Sequence, residues 1–557
     1  MKKILLFLLT GIVLSLSAAP VQLGKIEDYT IVIPSNPTKQ ERYSAMVLSE
    51  YLEKIYKTAV TVKFDRSTIK GNYISIGETK FAKEHKFTDA LARQSYSFNV
   101  KDKNLFIRGG FPGPLNGVIT YLQEDLGCRW FAVSIGIEKN SDPGEVFLPD
   151  LKGKNLTVTP RSYTPPFQAR EILYMNGNDS NLDEVVFFRS APMSYIMKMP
   201  PDSGADLASD LFIHTYATLV PVKKYYDKHP EYFALQNGKR VKQRSTYGAV
   251  CYTHPDIPGV MMERIREELK KNPDAIYFSV SVNDGSSTRC ECKNCAPLFE
   301  KYNPADVQMM LTNKVAKLIK KEYPNAIITT LVYNSMKTTI EPESNVLLLF
   351  APINIRYNVV KMLVPLSDIP EIDTALKTFR NEKKNIVLWD YMEPINPYIP
   401  WPNFDQVKAS ISHLAKHDVK GYFTDCSNGG ASFFALKRYI YSQLLWNPDA
   451  DMDAMIAEFV KAYYKDCAPE IMEYIALIRN AWSRFIKEYR VKQEGVMLQY
   501  TQAEREKIQQ LLESALAKTN GKQPLYGRIA REYTCYIVSG KLRRWKEYIC
   551  AKKNPAR

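Results

Sequence analysis

An adjacent amide and carboxylate follow a short apolar stretch near the middle of this 557-residue chain. The stretch Ser279–Val282 has the pattern of a buried β-strand, and Asn283, Asp284 and Gly285 come directly after it. A carboxylic acid at a strand end can protonate the oxygen of a glycosidic bond, and a neighbouring amide can orient a 2-acetamido group that attacks the sugar carbon. The pair therefore predicts substrate-assisted glycoside hydrolysis. The alternative is an Asn-Asp-Gly turn, because all three residue types favour turns.

Three closely spaced cysteines follow this pair. Cys290, Cys292 and Cys295 lie within six residues, a spacing that suits a structural zinc site with one further ligand. Cys251, at the end of a predicted strand, is the first candidate for that ligand, and His254 is the second. The alternative is one disulfide bond and a free thiol, which an oxidising compartment allows. Four protein ligands would make such a zinc ion structural, so no cofactor is expected for catalysis.

Strand and helix signals alternate between residues 161 and 450 and predict a (β/α)8 barrel. The predicted strands are Ala169–Tyr174, Leu211–His214, Ala249–Tyr252, Ile276–Val282, Ile327–Val332, Val346–Phe350, Ile386–Asp390 and Gly421–Asp425. Helical patterns between them include Asp306–Glu322, Ile372–Asn381 and Phe404–His417. In such barrels the chemistry takes place at the carboxyl ends of the strands.

Polar and aromatic residues at these strand ends are candidates for substrate binding. They are Glu171, His214, Tyr333, Trp389, Asp390, Tyr391 and Asp425. His214 either binds a sugar hydroxyl or is a buried structural residue. Asp390 and Asp425 either contact hydroxyls, supply a second carboxylate or cap the following helices. The tyrosines can donate hydrogen bonds to a developing oxyanion, and Trp389 can stack on a sugar face.

Two further domains are predicted on either side of the barrel. Residues 20–160 combine short strands with two amphipathic helices and predict a small α/β domain. Residues 451–557 have aromatic residues and leucines at helical spacing and predict a helical domain packed on the barrel. The expected fold class is therefore α/β, with a central barrel and two smaller domains.

Residues 1–19 have the features of a signal peptide. Lys2 and Lys3 precede the apolar run Ile4–Leu16, and the small residues Ser17–Ala19 supply a cleavage site. No other apolar stretch of the sequence is long enough for a membrane span. We therefore expect an exported protein, periplasmic or secreted, without stable membrane insertion.

The chain is basic, with a formal net charge of +15. Its lysines are scattered, and no basic run is interleaved with aromatic residues, so a nucleic-acid partner is not expected. The charge indicates a generally basic surface, and the alternative is attraction to anionic glycans. The expected substrate, a glycan or glycoprotein, follows from the residues at the strand ends, and the sequence leaves the oligomeric state open.

Several stretches resemble one protein family. Ser279–Cys295 (SVSVNDGSSTRCECKNC), His214–Leu235, Asn237–Arg240, Cys251 with Pro255, and Leu444–Tyr464 resemble the domain-of-unknown-function 4838 proteins, which overlap glycoside hydrolase family 163. Gly117–Phe131 (GVITYLQEDLGCRWF) is similar to the domain that precedes the barrels of family 20 hexosaminidases and family 67 α-glucuronidases. The resemblance spans nearly the whole mature chain.

This resemblance implies an exported bacterial endo-β-N-acetylglucosaminidase that cuts between the two core N-acetylglucosamines of complex N-glycans. On this basis Asp284 would be the acid/base, Asn283 would orient the acetamide, and the four cysteines would form a clip. Many relatives carry a glutamate after the last barrel strand, where this chain has Asp425, so sugar contacts there are not carried over. The alternatives are an α-glucuronidase-like or other exo-glycosidase with two carboxylates, and a non-catalytic glycan-binding protein.

Overall fold

The computed structural model describes residues 19–88, 91–133, 142–174, 187–189, 211–242, 248–273, 275–284, 289–333, 338–356, 359–392, 400–426 and 431–541. The predicted signal peptide, except for its last residue, lies outside these ranges. The chain divides into two compact units, one of residues 1–128 and 148–164, the other of residues 129–147 and 165–557. No helix in the described ranges is long and apolar enough to cross a membrane.

Short strands dominate the first third of the chain, and long helices dominate its C-terminal part. The strands are β1 (Val21–Lys25), β2 (Tyr29–Ile33), β3 (Val62–Phe64), β4 (Asn72–Ile76), β5 (Tyr96–Lys101), β6 (Asn104–Gly109), β7 (Arg129–Val133), β8 (Gly144–Phe147), β9 (Asn155–Val158), β10 (Arg161–Tyr163), β11 (Ala169–Tyr174), β12 (Leu235–Gln236), β13 (Lys239–Arg240), β14 (Tyr277–Ser279), β15 (Ile327–Tyr333), β16 (Val346–Ala351), β17 (Ile386–Tyr391) and β18 (Gly421–Cys426). The helices are α1 (Lys39–Tyr56), α2 (Lys80–Glu84), α3 (Gly113–Thr120), α4 (Tyr216–Leu219), α5 (Val222–Tyr225), α6 (Ile257–Lys271), α7 (Ala296–Lys301), α8 (Pro304–Glu322), α9 (Ile353–Arg356), α10 (Val359–Met362), α11 (Pro370–Asn381), α12 (Phe404–Lys416), α13 (Phe434–Trp446), α14 (Met452–Tyr464), α15 (Ala468–Lys492), α16 (Gln502–Lys518) and α17 (Leu525–Lys541).

The first unit is built on a mixed six-stranded sheet in the order β10-β5-β6-β4-β2-β3. Helix α1 begins with a capping box in which Thr38 and Glu41 satisfy each other's backbone N–H groups. Strands β5 and β6 form an antiparallel hairpin whose turn residues, Asp102 and Lys103, both have positive φ, as a tight hairpin turn requires. The short strands and the helices α1 and α3 agree with the α/β pattern predicted for residues 20–160.

The second unit is built on a parallel six-stranded sheet in the order β11-β18-β17-β16-β15-β14. Every residue of β16 and β17 is buried, as expected for strands covered on both faces. Helices follow β14, β16, β17 and β18, whereas the described chain passes from β15 to β16 without a helix, so the predicted alternation of strand and helix is confirmed for four of these five strands. The described sheet is therefore a curled parallel half-barrel with a helical C-terminal region, α14 to α17.

The predicted second barrel strand, Leu211–His214, is not a regular strand. It nevertheless runs parallel beside β14, because the N–H of Ser279 donates to the carbonyl of Leu211 (3.1 Å) and the N–H of Thr215 donates to that of Ser281 (3.2 Å). The Thr215 hydroxyl accepts from the N–H of Ser281 (3.0 Å) and donates to the carbonyl of Ser279 (2.9 Å). A side chain thus replaces part of the backbone ladder, which explains the irregular strand.

The predicted third barrel strand, Ala249–Tyr252, is wrong as a strand of the parallel sheet. Its backbone pairs antiparallel with residues 232–234 through a bridge between Phe233 and Val250. A four-residue apolar run predicts burial but carries no information about its pairing partner. In this chain the backbone groups of Ala249–Tyr252 bond to residues 232–234 and not to the parallel sheet.

Candidate active site

Asp284 lies just beyond β14, at the carboxyl edge of the parallel sheet. The regular strand ends at Ser279, but the N–H of Val280 still donates to the carbonyl of Thr329 on β15 (2.9 Å), so the backbone continues along the sheet. The two polar residues that follow differ in exposure: Asn283 is 1% exposed, whereas Asp284 is exposed to solvent. Asp284 therefore lies accessible at the edge where barrel enzymes carry their chemistry.

Asn283 ties three chain segments together beneath this carboxylate. Its Oδ1 accepts from the N–H of Ala217 in α4 (3.1 Å), and its Nδ2 donates to the carbonyl of Gly248 (3.0 Å). These bonds fix the end of β14 against two segments that are far away in the sequence. The geometry assigns Asn283 a positioning role, and its contact with an acetamide stays a prediction.

His214 lies beside the same strand end. Its Nδ1 is 3.0 Å from the carbonyl oxygen of Val282, two residues before Asp284. Because a carbonyl only accepts, Nδ1 carries the proton and Nε2 of the neutral ring can accept a hydrogen bond. His214 also has a φ of +52°, which is uncommon for a residue other than glycine and clusters at functional sites.

The pairing register of the parallel sheet places other predicted site residues side by side. Glu171 on β11 pairs with Phe423 on β18, which pairs with Trp389 on β17, so these side chains lie on one face of the sheet. Phe212 packs there too, with its ring centroid 5.9 Å from that of Trp389, and Phe423 lies 4.2 Å from Trp389. Glu171 is 1% exposed. This face therefore combines an aromatic cluster with a buried carboxyl group.

Tyr391 and Asp425 are register partners at the next level of the sheet. The ring of Tyr391 lies 6.4 Å from that of Trp389, on the same face. The side chains of Asp425 and Tyr333 lie outside the part of the chain that the structure describes. Tyr333 is the last residue of β15 and Asp425 is the last but one of β18, so both backbones lie at the carboxyl edge, as predicted.

The indole of Trp389 has an orphaned donor. Trp389 is 8% exposed, and its Nε1 is buried without a hydrogen-bond partner among the described residues. An unpaired buried donor costs about 1–3 kcal/mol, so it calls for an explanation. A hydrogen-bond acceptor of a bound ligand, on the face of the sheet that carries Trp389, would explain this donor.

Asp390 points to the opposite face of β17 from Trp389 and Tyr391. Its Oδ1 accepts from Nε of Arg356 (2.6 Å), and its Oδ2 accepts from the hydroxyl of Tyr422 (3.2 Å). Both members of this ion pair are 0% exposed. The structure thus gives Asp390 a structural role in anchoring the end of α9, and it offers no support for the predicted contact with a sugar.

The four predicted metal ligands form one buried cluster. Cys251 Sγ lies 3.7 Å from Cys292 Sγ and 3.8 Å from Cys295 Sγ, and with Cys290 the four sulfur atoms lie within 4.8 Å of one another. Thiolates about 2.3 Å from a tetrahedral zinc ion are about 3.8 Å apart, so this donor set fits zinc. All four are free thiols. The fourth member is Cys251, the first of the two candidates.

The thiols of the cluster shift one another's pKa in opposite directions. Hydrogen bonds from Cys290 and Cys295 hold the pKa of Cys251 well below its usual range, and contact with Cys251 raises the pKa of Cys290 and Cys295. The case for a metal therefore rests on the positions of the four sulfur atoms.

The segment that carries these cysteines is attached to the hairpin of β12 and β13. The N–H of Glu291 donates to the carbonyl of Leu235 (2.8 Å), and its carboxylate accepts from the N–H of Asn237 (2.7 Å). Nε2 of Gln236 donates to the carbonyl of Arg289 (3.0 Å). The chain that follows Asp284 is thus held from two sides, by the cysteines and by this hairpin.

Sequence reasoning missed three residues that shape this region: Phe212, Phe423 and Arg356. Phe212 and Phe423 each lie two residues before a predicted site residue, so strand alternation was the signal that could have found them. Arg356 lies on a separate four-residue helix and gives no local signal of its pairing with Asp390.

A sequence profile for the family described as "Domain of unknown function (DUF4838)" matches residues 143–476, more than half of the chain. The chain belongs to this family. The matched residues include the parallel sheet, the cysteine cluster and every candidate site residue named above. A search of curated protein sequences found no match.

Solved glycoside hydrolases resemble the chain in structure. A GH138 enzyme targeting pectin rhamnogalacturonan II has a TM-score of 0.50 and 10% identity, with 94% of this chain and 69% of that chain covered. A GH115 4-O-methyl-α-glucuronidase with specificity for decorated arabinogalactans has a TM-score of 0.49 and 12% identity, with 93% and 70% covered. A β-N-acetylhexosaminidase from Bacteroides fragilis NCTC 9343 has a TM-score of 0.43 and 12% identity, with 78% and 90% covered. At 10% identity the likeness to the GH138 enzyme shows a shared fold alone.

Proposed function

We propose that the protein is an exported glycoside hydrolase that cleaves β-linked N-acetylglucosamine in complex glycans, such as the N-glycan core, with retention of configuration. The observation that carries the proposal is the exposed carboxyl group of Asp284 at the carboxyl end of β14, held in place by the buried Asn283. Membership of the family and a fold shared with a glycoside hydrolase support it. The proposal takes the six-stranded sheet as part of a closed (β/α)8 barrel.

The chemistry would proceed in two steps around Asp284. In the first, its carboxylic acid gives a proton to the glycosidic oxygen, the bond from that oxygen to the sugar carbon breaks, and the acetamide oxygen of the substrate attacks the same carbon. In the second, the Asp284 carboxylate takes a proton from water as the water oxygen bonds to that carbon and the acetamide is released. Two inversions at one carbon give retention.

Residues at the carboxyl edge of the sheet would bind and orient the sugar. The ring of His214, fixed by its contact with the carbonyl of Val282, would lie against the sugar. Nε1–H of Trp389, which has no hydrogen-bond partner among the described residues, can donate to a substrate oxygen on its face of the sheet. Asn283 positions the strand end that carries the acid.

Mass spectrometry of a complex-type N-glycoprotein incubated with the purified protein tests this function. Released glycans one N-acetylglucosamine short, with that sugar left on the protein, are expected. Asp284→Asn should lower the rate at least about a hundredfold, the usual contribution of a general acid. Asp227→Asn, at an aspartate whose side chain is 92% exposed, is the matched control and should cleave normally. Near-normal turnover by Asp284→Asn would falsify the assignment.

Glu171 favours a second candidate function, an exo-glycosidase that uses two carboxylates. It is a buried carboxyl group on the same face of the sheet as Trp389. Such an enzyme would hydrolyse substrates without a 2-acetamido group, including α-linked uronates. Turnover of those substrates, abolished by Glu171→Gln as well as by Asp284→Asn, would favour this candidate over the first.

We also propose that the four cysteines hold one structural zinc ion, which would fix the segment that follows Asp284. The separations between the Cys251, Cys292 and Cys295 sulfur atoms support this proposal. Metal analysis of the purified protein should find zinc bound to thiolates. Protein with two disulfide bonds in place of the four thiols would rule the clip out.

A further inference from the structure

Three potential metal ligands lie together on the outer helices of the second unit. They are Asp373 on α11, His413 on α12 and His417, the residue after α12. Nε2 of His413 lies 3.0 Å and Nε2 of His417 lies 4.0 Å from Oδ1 of Asp373. Ligand atoms about 2.0–2.2 Å from a tetrahedral ion are about 3.4 Å apart, so small side-chain rotations would bring all three onto one ion.

One nitrogen of each histidine ring is buried and has no hydrogen-bond partner among the described residues: Nε2 of His413 and Nδ1 of His417. Nε2 of His413 faces Oδ1 of Asp373 at 3.0 Å, a contact that is an ion pair only if the histidine is protonated. A buried nitrogen atom aimed at a carboxylate in this way suits an ion between the two.

The positions of the two histidines in the sequence explain why they meet. Residues four apart on a helix lie on the same face, and His-x3-His is a spacing that places two imidazoles on one metal ion. His413 and His417 are two of only six histidines in the chain. Asp373 comes from the first turn of another helix, which is why the sequence alone did not reveal the set.

We propose that Asp373, His413 and His417 bind a divalent transition-metal ion such as zinc, with water completing its coordination. Two imidazoles and one carboxylate are a donor set that such ions accept. The ion would join α11 to the end of α12. This site is separate from the cysteine cluster, which supplies sulfur ligands only.

The site lies at the amino edge of the parallel sheet, away from Asp284. Lys420, three residues after His417, donates its N–H to the carbonyl of Ile386, the first residue of β17. Asp284 lies beyond the carboxyl end of β14. The metal should therefore stabilise the packing of two helices and take no part in hydrolysis.

Neighbouring charges set the expected affinity. Nζ of Lys377 lies 2.5 Å from Oδ2 of Asp373, so it orients the carboxylate but also repels a cation. The carboxyl end of α12 has the opposite effect, because the partial negative charge of a helix C-terminus attracts cations. We expect binding weaker than at the four-cysteine site.

Cobalt titration of the full chain separates the two sites. Cobalt bound by thiolates absorbs strongly in the near ultraviolet, whereas cobalt bound by imidazole and carboxylate gives only weak visible bands. Wild type should bind one more equivalent than His417→Asn, without added near-ultraviolet absorption, and His85→Asn should bind like wild type. Equal stoichiometry in wild type and His417→Asn, both folded by circular dichroism, would overturn the proposal.

A surface variant tests the same site without changing either histidine. The side chain of Lys377 is 59% exposed, so Lys377→Gln should fold normally. Removal of its charge should tighten cobalt binding at the histidine site about tenfold. Lys507→Gln, which removes a charge from α16, should leave the affinity unchanged. An unchanged affinity in Lys377→Gln would contradict a site that includes Asp373.

Discussion

Asp390 and Tyr391 are adjacent in the sequence but lie on opposite faces of β17, and this difference can be measured. Asp390→Asn leaves the charge of Arg356 buried without a counter-ion, so the free energy of unfolding should fall by about 3 kcal/mol. Tyr391→Phe removes a hydroxyl from the inner face and should raise KM with a smaller loss of stability. Urea unfolding and steady-state kinetics measure both effects. A raised KM at unchanged stability in Asp390→Asn would contradict the placement.

Nε1 of Trp389, which has no partner in the part of the chain that the structure describes, supports a second prediction. Trp389→Phe keeps an aromatic ring against Phe423 but removes the donor, so KM should rise about two- to tenfold, the effect of one hydrogen bond, with kcat retained. Trp482→Phe is the control, because the Trp482 Nε1 already donates to the carbonyl of Leu363 (2.9 Å). The control should lose stability without a change in KM. An unchanged KM in Trp389→Phe would remove this donor from the substrate site.

Among the strands, the bounds of β15 to β18 are predicted from the sequence to within one residue at either end. Strands that are buried on both faces are continuous apolar runs, and such runs are easy to recognise. The same reasoning fails for Ala249–Tyr252, since burial does not specify a pairing partner. It also cannot predict that Asn283 bonds to Ala217 and Gly248, which lie far from it in the sequence. Local pattern thus located Asp284 and the cysteines, whereas contacts between distant segments required the structure.

The cysteine cluster gives a prediction about the segment that follows Asp284. Cys292→Ser removes one of the four ligands, so one equivalent of zinc should be lost and the segment released, with faster tryptic cleavage after Arg289. Cys467→Ser is the control, because this buried thiol lies apart from the cluster and bonds to the carbonyl of Ala515 (3.3 Å). Limited proteolysis measures the rate of cleavage in both variants, and metal analysis measures their zinc content. Full zinc content in Cys292→Ser would show that the cluster is not the zinc site.

In the second unit, one buried arginine joins the last described helix to residues near the start of the unit. Arg528 on α17 is 1% exposed, and its guanidinium lies 2.8 Å from Oδ1 of Asp142 and 2.9 Å from Oε2 of Glu145 on β8. It also donates to the carbonyl of Tyr463 (2.7 Å) and lies over the Tyr463 ring at 3.8 Å. The C-terminal helix is therefore fastened to a ribbon that precedes the parallel sheet in the sequence.

This ion pair makes the stability of the unit depend on pH. Burial alone would raise the pKa of Asp142, but hydrogen bonds from Arg528 and Tyr463 and the charge of Arg528 hold it below its ordinary value of 3.8. A carboxyl group whose pKa is lowered by folding stabilises the fold above its unfolded pKa, and this contribution is lost as the pH falls through the folded pKa.

Arg528→Met tests this dependence. At about pH 7 the variant should be about 3–5 kcal/mol less stable than wild type, because Asp142 is left buried and unpaired. The difference should shrink as the pH falls below about 4, since Asp142 is protonated first in the variant and then, at lower pH, in wild type. Arg490→Met, which breaks a pair whose arginine is 57% exposed, should cost less than about 1 kcal/mol at either pH. Urea midpoints across this range measure the difference, and a constant gap between wild type and Arg528→Met would exclude Asp142 as the titrating partner.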